Sequence, residues 1–465
     1  MPDHAERVLV IGLDSVSPWL LFEKFLPLMP RVRELLGRSR YGTLRTIDPP
    51  ITVPAWAVMF SGMDPGTLGV YGFRHRKAGT YWDNYIPTSR TLLKPLIWER
   101  LSRLGKRVCV IGMPPGYPPP AVNGVYVSDF LTPDNATDYV SPPSMRAEID
   151  RVSGGYPFDV TFRQDDRDRI GKELIEMTRK HFAVARHLWK KERWDLFALH
   201  EIGPDRLHHT FWRFFDPAHP RFEGNARLRT VVEDYYRMLD SEIGQFVDEV
   251  PDDVRVLLLS DHGSQAMQGC FCVNEWLIQK GYLALRGPRP PPKTQLEEAN
   301  VDWSKTLAWG AGGYYARVFF NIKGREPEGA LAPGDVPAFE ARLTKELGSV
   351  RRPDGTPLGV DVRRPRDIYR SVQGDAPDLM VYFGDVAWRS IGTIGYGTLY
   401  IDENDTGPDD AVHSFDGIYS ISDPAQGRGQ RGPTEQLMDV APTVLTLLGV
   451  PVPSEMQGKA IAAFR

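Results

Sequence analysis

The stretch that most constrains this chain is Val256-Leu257-Leu258-Leu259-Ser260-Asp261-His262-Gly263. An unbroken apolar run suits a strand buried on both faces, as in a parallel sheet covered by helices. It ends in an aspartate and a histidine, both good metal ligands, followed by a glycine. Open α/β sheets collect their chemistry at the carboxyl ends of strands, so Asp261 and His262 fall where a catalytic metal would be held. Alone, a Ser-Asp-His-Gly turn is as readily a helix cap or a loop closure. Recurrence of the pattern along the chain decides between these explanations.

Val8–Leu13 reads as another buried strand, and it ends at Asp14. Apolar residues then recur at helical spacing from Leu20 to Leu36. In Ile47–Trp56 the prolines at 49, 50 and 54 forbid helix until Ala55, leaving Thr52 just before a helix N-terminus. Free backbone N–H groups and the helix dipole favour phosphate there. A hydroxyl so placed is an N-cap, or a nucleophile if a metal lowers its pKa. Further on, the strand Asp195–Leu199 runs into Asp205 and His209. Four residues apart on a helix, these two share a face and can hold one ion. His200 and His208 read as non-ligands. His413 precedes the strand Gly417–Ile421.

The remaining segments are less telling. Phe73-Arg74-His75-Arg76-Lys77 is a short basic cluster that could receive an anionic substrate group. Helices are expected over Thr91–Leu104, Asp166–Glu192, Ala226–Val250, Val273–Lys280 and Asp439–Leu448. Residues 114–165, opening with a proline-rich loop, read as a lid excursion over the sheet. From about Gly312 the texture becomes β-rich, which marks a small α+β subdomain over 291–374 set into a core of 1–290 and 375–465. Gly310-Ala311-Gly312-Gly313 lacks the Lys-Ser/Thr of a P-loop.

With 56 basic and 60 acidic residues, the chain has a formal net charge of -4, so neither a nucleic-acid polymer nor an anionic membrane is expected as partner. No run has the length of a membrane span and no signal peptide is evident, so a cytoplasmic location is expected. Three cysteines without zinc-ribbon spacing argue against a disulfide framework.

Taken together, Asp14, Thr52, Asp205, His209, Asp261, His262 and His413 all lie at or just beyond strand ends. One metal site accounts for them better than separate caps. Mixed Asp/His ligation suits Zn²⁺, with manganese or iron as alternatives. At three protein ligands per catalytic ion, three Asp and three His serve two divalent ions. Such a pair can clamp the attacking and leaving oxygens of an in-line displacement.

The ordered set also resembles the alkaline phosphatase superfamily, in its type I phosphodiesterase/nucleotide pyrophosphatase branch. The likeness covers nearly the whole chain. Its carriers are Gly12-Leu13-Asp14, Thr52-Val53-Pro54, Ser61-Gly62, Asp205-x-x-x-His209, Ser260–Gly263, His413-x-x-x-Gly417 and Asp439–Thr443 with Leu448-Gly449. The resemblance implies a three-layer α/β/α sandwich around a mostly parallel sheet, with the small α+β subdomain inserted. It implies one ion held by Asp205, His209 and His413, and another held by Asp14, Asp261 and His262. Thr52 would bind the second ion and attack phosphorus, cleaving a phosphodiester or nucleotide pyrophosphate in a small-molecule substrate. The family's phosphate-binding Asn is replaced by Phe73, so Arg74 or backbone N–H groups would take over that contact. Trp56, Tyr71 and Phe73 could form an apolar wall for a second ester group, and Arg74 is the nearby cation for the extra oxygen of a monoester. The rival within the fold is a phosphomonoesterase or a phosphoglycerate-mutase-like phosphotransferase. The rival from another class is a non-catalytic, metal-dependent phospholigand-binding protein.

Overall fold

The apolar runs come together as the middle of one sheet. The computed structural model describes residues 7–422 and 429–462. Among the described residues, ten strands form the main sheet. Val254–Leu259, Arg7–Leu13, Leu196–Glu201, Val108–Ile111 and Gly124–Val127 lie side by side and parallel. Asp416–Ser422 pairs antiparallel with Val254–Leu259 on one side and with Ser39–Arg45 on the other. Every residue of Arg7–Leu13 is buried, as an apolar run in a doubly covered sheet must be.

Alternate side chains of a strand enter opposite layers. Leu9, Ile11, Leu199, Val256 and Leu258 join the core beneath the helices Pro30–Leu36, Arg167–Lys191, Gly203–Phe215 and Ala226–Asp248. Val8, Val10, Ala198 and Leu257 join the opposite core, beneath Thr52–Ser61, Ile97–Arg103 and Val440–Leu447. This is the expected three-layer α/β/α sandwich.

A second, mixed sheet is built from Gly269–Cys272, Ala308–Ala311, Ala316–Phe320, Val360–Arg363, Leu379–Phe383, Trp388–Ile391 and Tyr400–Ile401. Helix Val336–Leu347 packs Phe339, Leu343 and Leu347 into its aromatic-rich core. Within residues 114–165, Gly124–Val127 and Val140–Ser141 extend the edge of the main sheet, and Arg146–Ser153 is helical.

Two helices are shorter than their periodicity suggests. The apolar pattern from Leu20 to Leu36 breaks into a wide turn at Trp19–Lys24, a tight turn at Leu26–Leu28 and a helix from Pro30. Pro27 and Pro30 each lack the N–H that a continuous helix needs. The helix expected from Thr91 begins at Ile97, because Pro95 disfavours helical geometry at the residue before it. No helix among the described residues is long and apolar enough to cross a membrane.

Candidate metal centre

Three parallel neighbours end at the same rim of the sheet. Gly12 stands opposite both Leu259 and His200 in the register, so the chains leave the sheet side by side. Leu13 leads to Asp14, and Leu259 leads to Asp261 and His262. Glu201 leads to helix Gly203–Phe215, on which Asp205 Oδ1 lies 3.3 Å from His209 Nε2 one turn later. His413 arrives by another route. Gly263–Ala266 pairs antiparallel with Ala411–Ser414, setting His413 opposite Ser264. That register stacks the His413 and His262 rings with centroids 3.9 Å apart.

Two buried groups of ligand atoms result. Asp205, His209 and His413 form one, and Asp14, Asp261 and His262 the other; within each, the atoms lie within 4.8 Å of one another. Thr52 is the first residue of helix Thr52–Ser61. Its Oγ1 lies 3.2 Å from His262 Nε2 and donates to Asp14 Oδ1 at 3.5 Å.

Whether these residues fit cations can be read from their other bonds. All three histidines have Nδ1 engaged: His209 with Asp409 Oδ1 at 2.7 Å, His262 with the Gly263 carbonyl at 3.1 Å, His413 with the Pro50 carbonyl at 2.8 Å. Each therefore turns Nε2 toward the carboxylates, which is how metal-binding histidines are oriented. Asp205 Oδ1 and Asp261 Oδ2 are buried and make no hydrogen bond, although His209 and His262 nitrogens lie 3.3 and 3.1 Å away. Burial pushes the His262 pKa down to about 3 and that of His413 to about 4, and neutral imidazole is the ligating form. Burial and the adjacent Asp14 charge raise the Asp261 pKa well above the usual carboxylate range. Paired carboxylates of this kind call for a cation between them. The donor set fits two divalent ions.

The surroundings hold the candidate ligands Asp14 and Asp261 in place. Asp14 Oδ2 accepts from Trp56 Nε1 at 2.9 Å and lies 2.8 Å from His200 Nε2, while His200 Nδ1 donates to the Gly112 carbonyl. Ser15 adopts a left-handed φ of 64°, uncommon for a serine, and its N–H donates to Asp261 Oδ1. Gly12 is needed at the strand end because a Cβ there would lie 2.4 Å from Trp56 Cη2. Gly12→Ala should therefore displace Trp56 and cost about 1–3 kcal/mol, the usual range for overpacking, as read by chemical denaturation. An unchanged midpoint would contradict this packing.

Trp56 and Tyr71 are core residues rather than an exposed apolar wall, since each is almost fully buried. Phe73 is half-buried, with its ring 6.5 Å from that of Tyr314, and Arg74 is exposed. The basic segment around them is only partly a solvated loop. His75 is buried and its Nε2 accepts from the Tyr71 N–H at 2.7 Å.

The family model for type I phosphodiesterase / nucleotide pyrophosphatase matches residues 8–409. The chain belongs to that family. With it comes membership of the alkaline phosphatase superfamily and an indicated phosphodiesterase or nucleotide pyrophosphatase activity. No curated protein matches the chain by sequence. The family match ends before His413, whose place in the first group rests on its Nε2 lying 3.5 Å from Asp205 Oδ1 and 3.4 Å from His209 Nε2.

Several residues at this family member's centre escaped sequence reasoning. Asp409 orients His209 and is itself held by Arg389 at 3.0 Å and Arg163 at 3.2 Å. Tyr314 stacks on His413 at 3.6 Å and brings its hydroxyl within 3.1 Å of His209 Nε2. Arg206 bonds Asp205 Oδ2 at 2.6 Å and Asp159. No local pattern marks these residues. His200 reads as a non-ligand, and its contact is with the candidate ligand Asp14.

Proposed function

We propose that the chain is a two-metal hydrolase that cleaves phosphodiester or nucleotide pyrophosphate bonds of small molecules through a phospho-threonine intermediate. The observation that carries this reading is that Thr52 Oγ1, at a helix N-terminus, lies 3.2 Å from His262 Nε2 and 3.5 Å from Asp14 Oδ1. Asp205, His209 and His413 would hold one ion and Asp14, Asp261 and His262 the other, with Thr52 beside the second. Bound ions, zinc by this donor set with manganese or iron as alternatives, supply Lewis-acid charge for phosphoryl oxygens and a lowered hydroxyl pKa.

Thr52 Oγ1 forms a bond to phosphorus as the P–O bond to the leaving group breaks. Water then cleaves the phospho-threonine and restores the hydroxyl. Amides in the first helical turn have no acceptor within the helix and suit phosphoryl oxygens. Asp409 and the carbonyls of Pro50 and Gly263 keep the three histidines oriented while this happens.

Phe73 and Arg74 receive the rest of the substrate. On the same reading, the segment 291–374 belongs to a subdomain set into the hydrolase core. The sheet of that subdomain also takes in Gly269–Cys272, Leu379–Phe383, Trp388–Ile391 and Tyr400–Ile401. Part of 114–165 acts as a lid. Two contacts support the lid: the Phe162 ring lies 5.8 Å from that of His209, and Arg163 pairs with Asp409. Three buried free cysteines suit a reducing, cytoplasmic compartment.

The test compares bis-p-nitrophenyl phosphate with p-nitrophenyl phosphate. A diester needs no extra cation for a further anionic oxygen, so its kcat/KM should be the higher. A clear preference for the monoester would move the assignment to phosphomonoesterase.

A further inference from the structure

The Gly310–Gly313 run lines a cavity of about 440 Å³ that also takes in Arg74, Trp82, Trp309, Arg317 and Arg389. That volume suits a small-molecule moiety. Gly312 packs on Gly392 so closely that a Cβ would lie 2.4 Å from the Gly392 nitrogen, so this wall is bare backbone. The cavity adjoins the metal centre. Arg389 places its guanidinium 4.4 Å from the Tyr314 ring, and Tyr314 stacks on His413.

The arginines here differ in their partners. Arg389 is neutralised by Asp409 at 3.0 Å. Arg76 pairs with Glu326 at 3.3 Å and lies 4.7 Å over Phe319. Arg74 and Arg317 have no carboxylate partner among the described residues; the Arg317 guanidinium donates to the Arg74 carbonyl. Burial depresses the Arg317 pKa, and the Arg74 charge depresses it further. Glu297 and Asp405 also line the cavity, but neither pairs with Arg74 or Arg317 among the described residues. Two like charges held on one wall without a paired carboxylate favour an anionic occupant.

We infer that this cavity takes the part of the substrate remote from the hydrolysed phosphate, and that this part carries a second anionic group, carboxylate or phosphate, held by Arg74 and Arg317. The inference rests on the hydrolase reading above for what lies at the metal centre. Trp82 and Trp309 flank the portion that joins the two ends.

The experiment uses the full chain in zinc-supplemented buffer with p-nitrophenyl butyl phosphate and its analogues ending in a carboxylate or a phosphate. The parent protein should favour an anionic terminus by roughly 10- to 100-fold in kcat/KM, the worth of one charge-assisted hydrogen bond. The larger ratio of the two tells which anion is preferred. Arg74→Glu, an exposed change, should bring the ratio to one or below. Arg317→Gln should do the same, and Arg317→Lys should keep part of the preference, which separates lost charge from lost folding.

A second arm needs no turnover. Calorimetry should find 4-phosphonooxybutyrate bound at least about tenfold tighter than butyl phosphate by the parent, and equally by Arg317→Gln. A parent ratio near one in both arms overturns the subsite, as do variants that lower all esters by the same factor. Preferential binding without any ester hydrolysis would leave the subsite standing and remove the hydrolase reading instead.

Discussion

Thr52→Ala is expected to lower turnover of an aryl phosphodiester by about 10⁴-fold or more, on the scale seen when a covalent nucleophile is removed. Thr52→Ser should retain a substantial fraction, since it keeps the hydroxyl and loses only a methyl group. The reason is local. Thr52 is 1% exposed, and its Oγ1 is aimed at the Asp14–Asp261–His262 group by the helix that begins there. Neighbouring serine hydroxyls are committed elsewhere: Ser260 Oγ donates to the His262 carbonyl at 2.6 Å, and Ser264 Oγ donates to the Ser15 carbonyl at 2.7 Å. Neither of these serines stands ready to replace Thr52. Folding should be little affected, because the Thr52 hydroxyl contacts Asp14 and His262 rather than its own helix. Circular dichroism and the thermal midpoint serve as controls, and an acid quench during turnover should leave a substrate-derived phosphoryl adduct on the Thr52 peptide of the parent. If Thr52→Ala kept turnover within about tenfold of the parent, direct attack by water would replace the covalent route.

Removal of divalent cations should have a comparable effect on activity and a larger one on stability. Elemental analysis of the active protein should find close to two transition-metal ions per chain, as the two ligand groups imply. Chelation should abolish hydrolysis, and zinc, manganese or iron should restore it. A ligand at a hundredfold excess over its Kd stabilises the folded state by about 2.7 kcal/mol per site, so two sites give about 5 kcal/mol and a clear fall in the thermal midpoint on chelation. Without cations, burial first and the adjacent Asp14 charge second disfavour the Asp261 carboxylate and hold its pKa well above the usual range. Asp261→Asn should therefore abolish activity yet raise the thermal midpoint of the cation-free protein above that of the parent. A fully active preparation free of metal would remove the two-metal reading altogether.

Much of this protein could be read from one dimension. Buried strands announce themselves because a strand covered on both faces has no polar alternation, and Val8–Leu13, Val108–Ile111 and Val256–Leu259 all carry that mark. Asp14, Asp261 and His262 follow such runs and Asp205 and His209 are one helical turn apart, so their candidacy follows from local pattern, whereas their division into two groups was implied by the family resemblance. Residues whose partners lie far along the chain were a different matter. His413 meets His262 only because Ala411–Ser414 pairs in one register with Gly263–Ala266, and a shift by one residue would turn it away. Asp409, Tyr314, Arg163 and Arg389 converge on His209 and His413 from separate segments, and Arg317 reaches Arg74 across 243 positions. Trp56, which sequence alone offered to the substrate, is turned into the core by its hydrogen bond to Asp14. Sequence by itself determined the buried central strands and the ligand types, because those follow from hydrophobic period and strand ends, while the layer order came with the family resemblance. Only tertiary structure decided which side chains orient the ligands and where the unpaired arginines stand, because those depend on contacts between segments that no local pattern encodes.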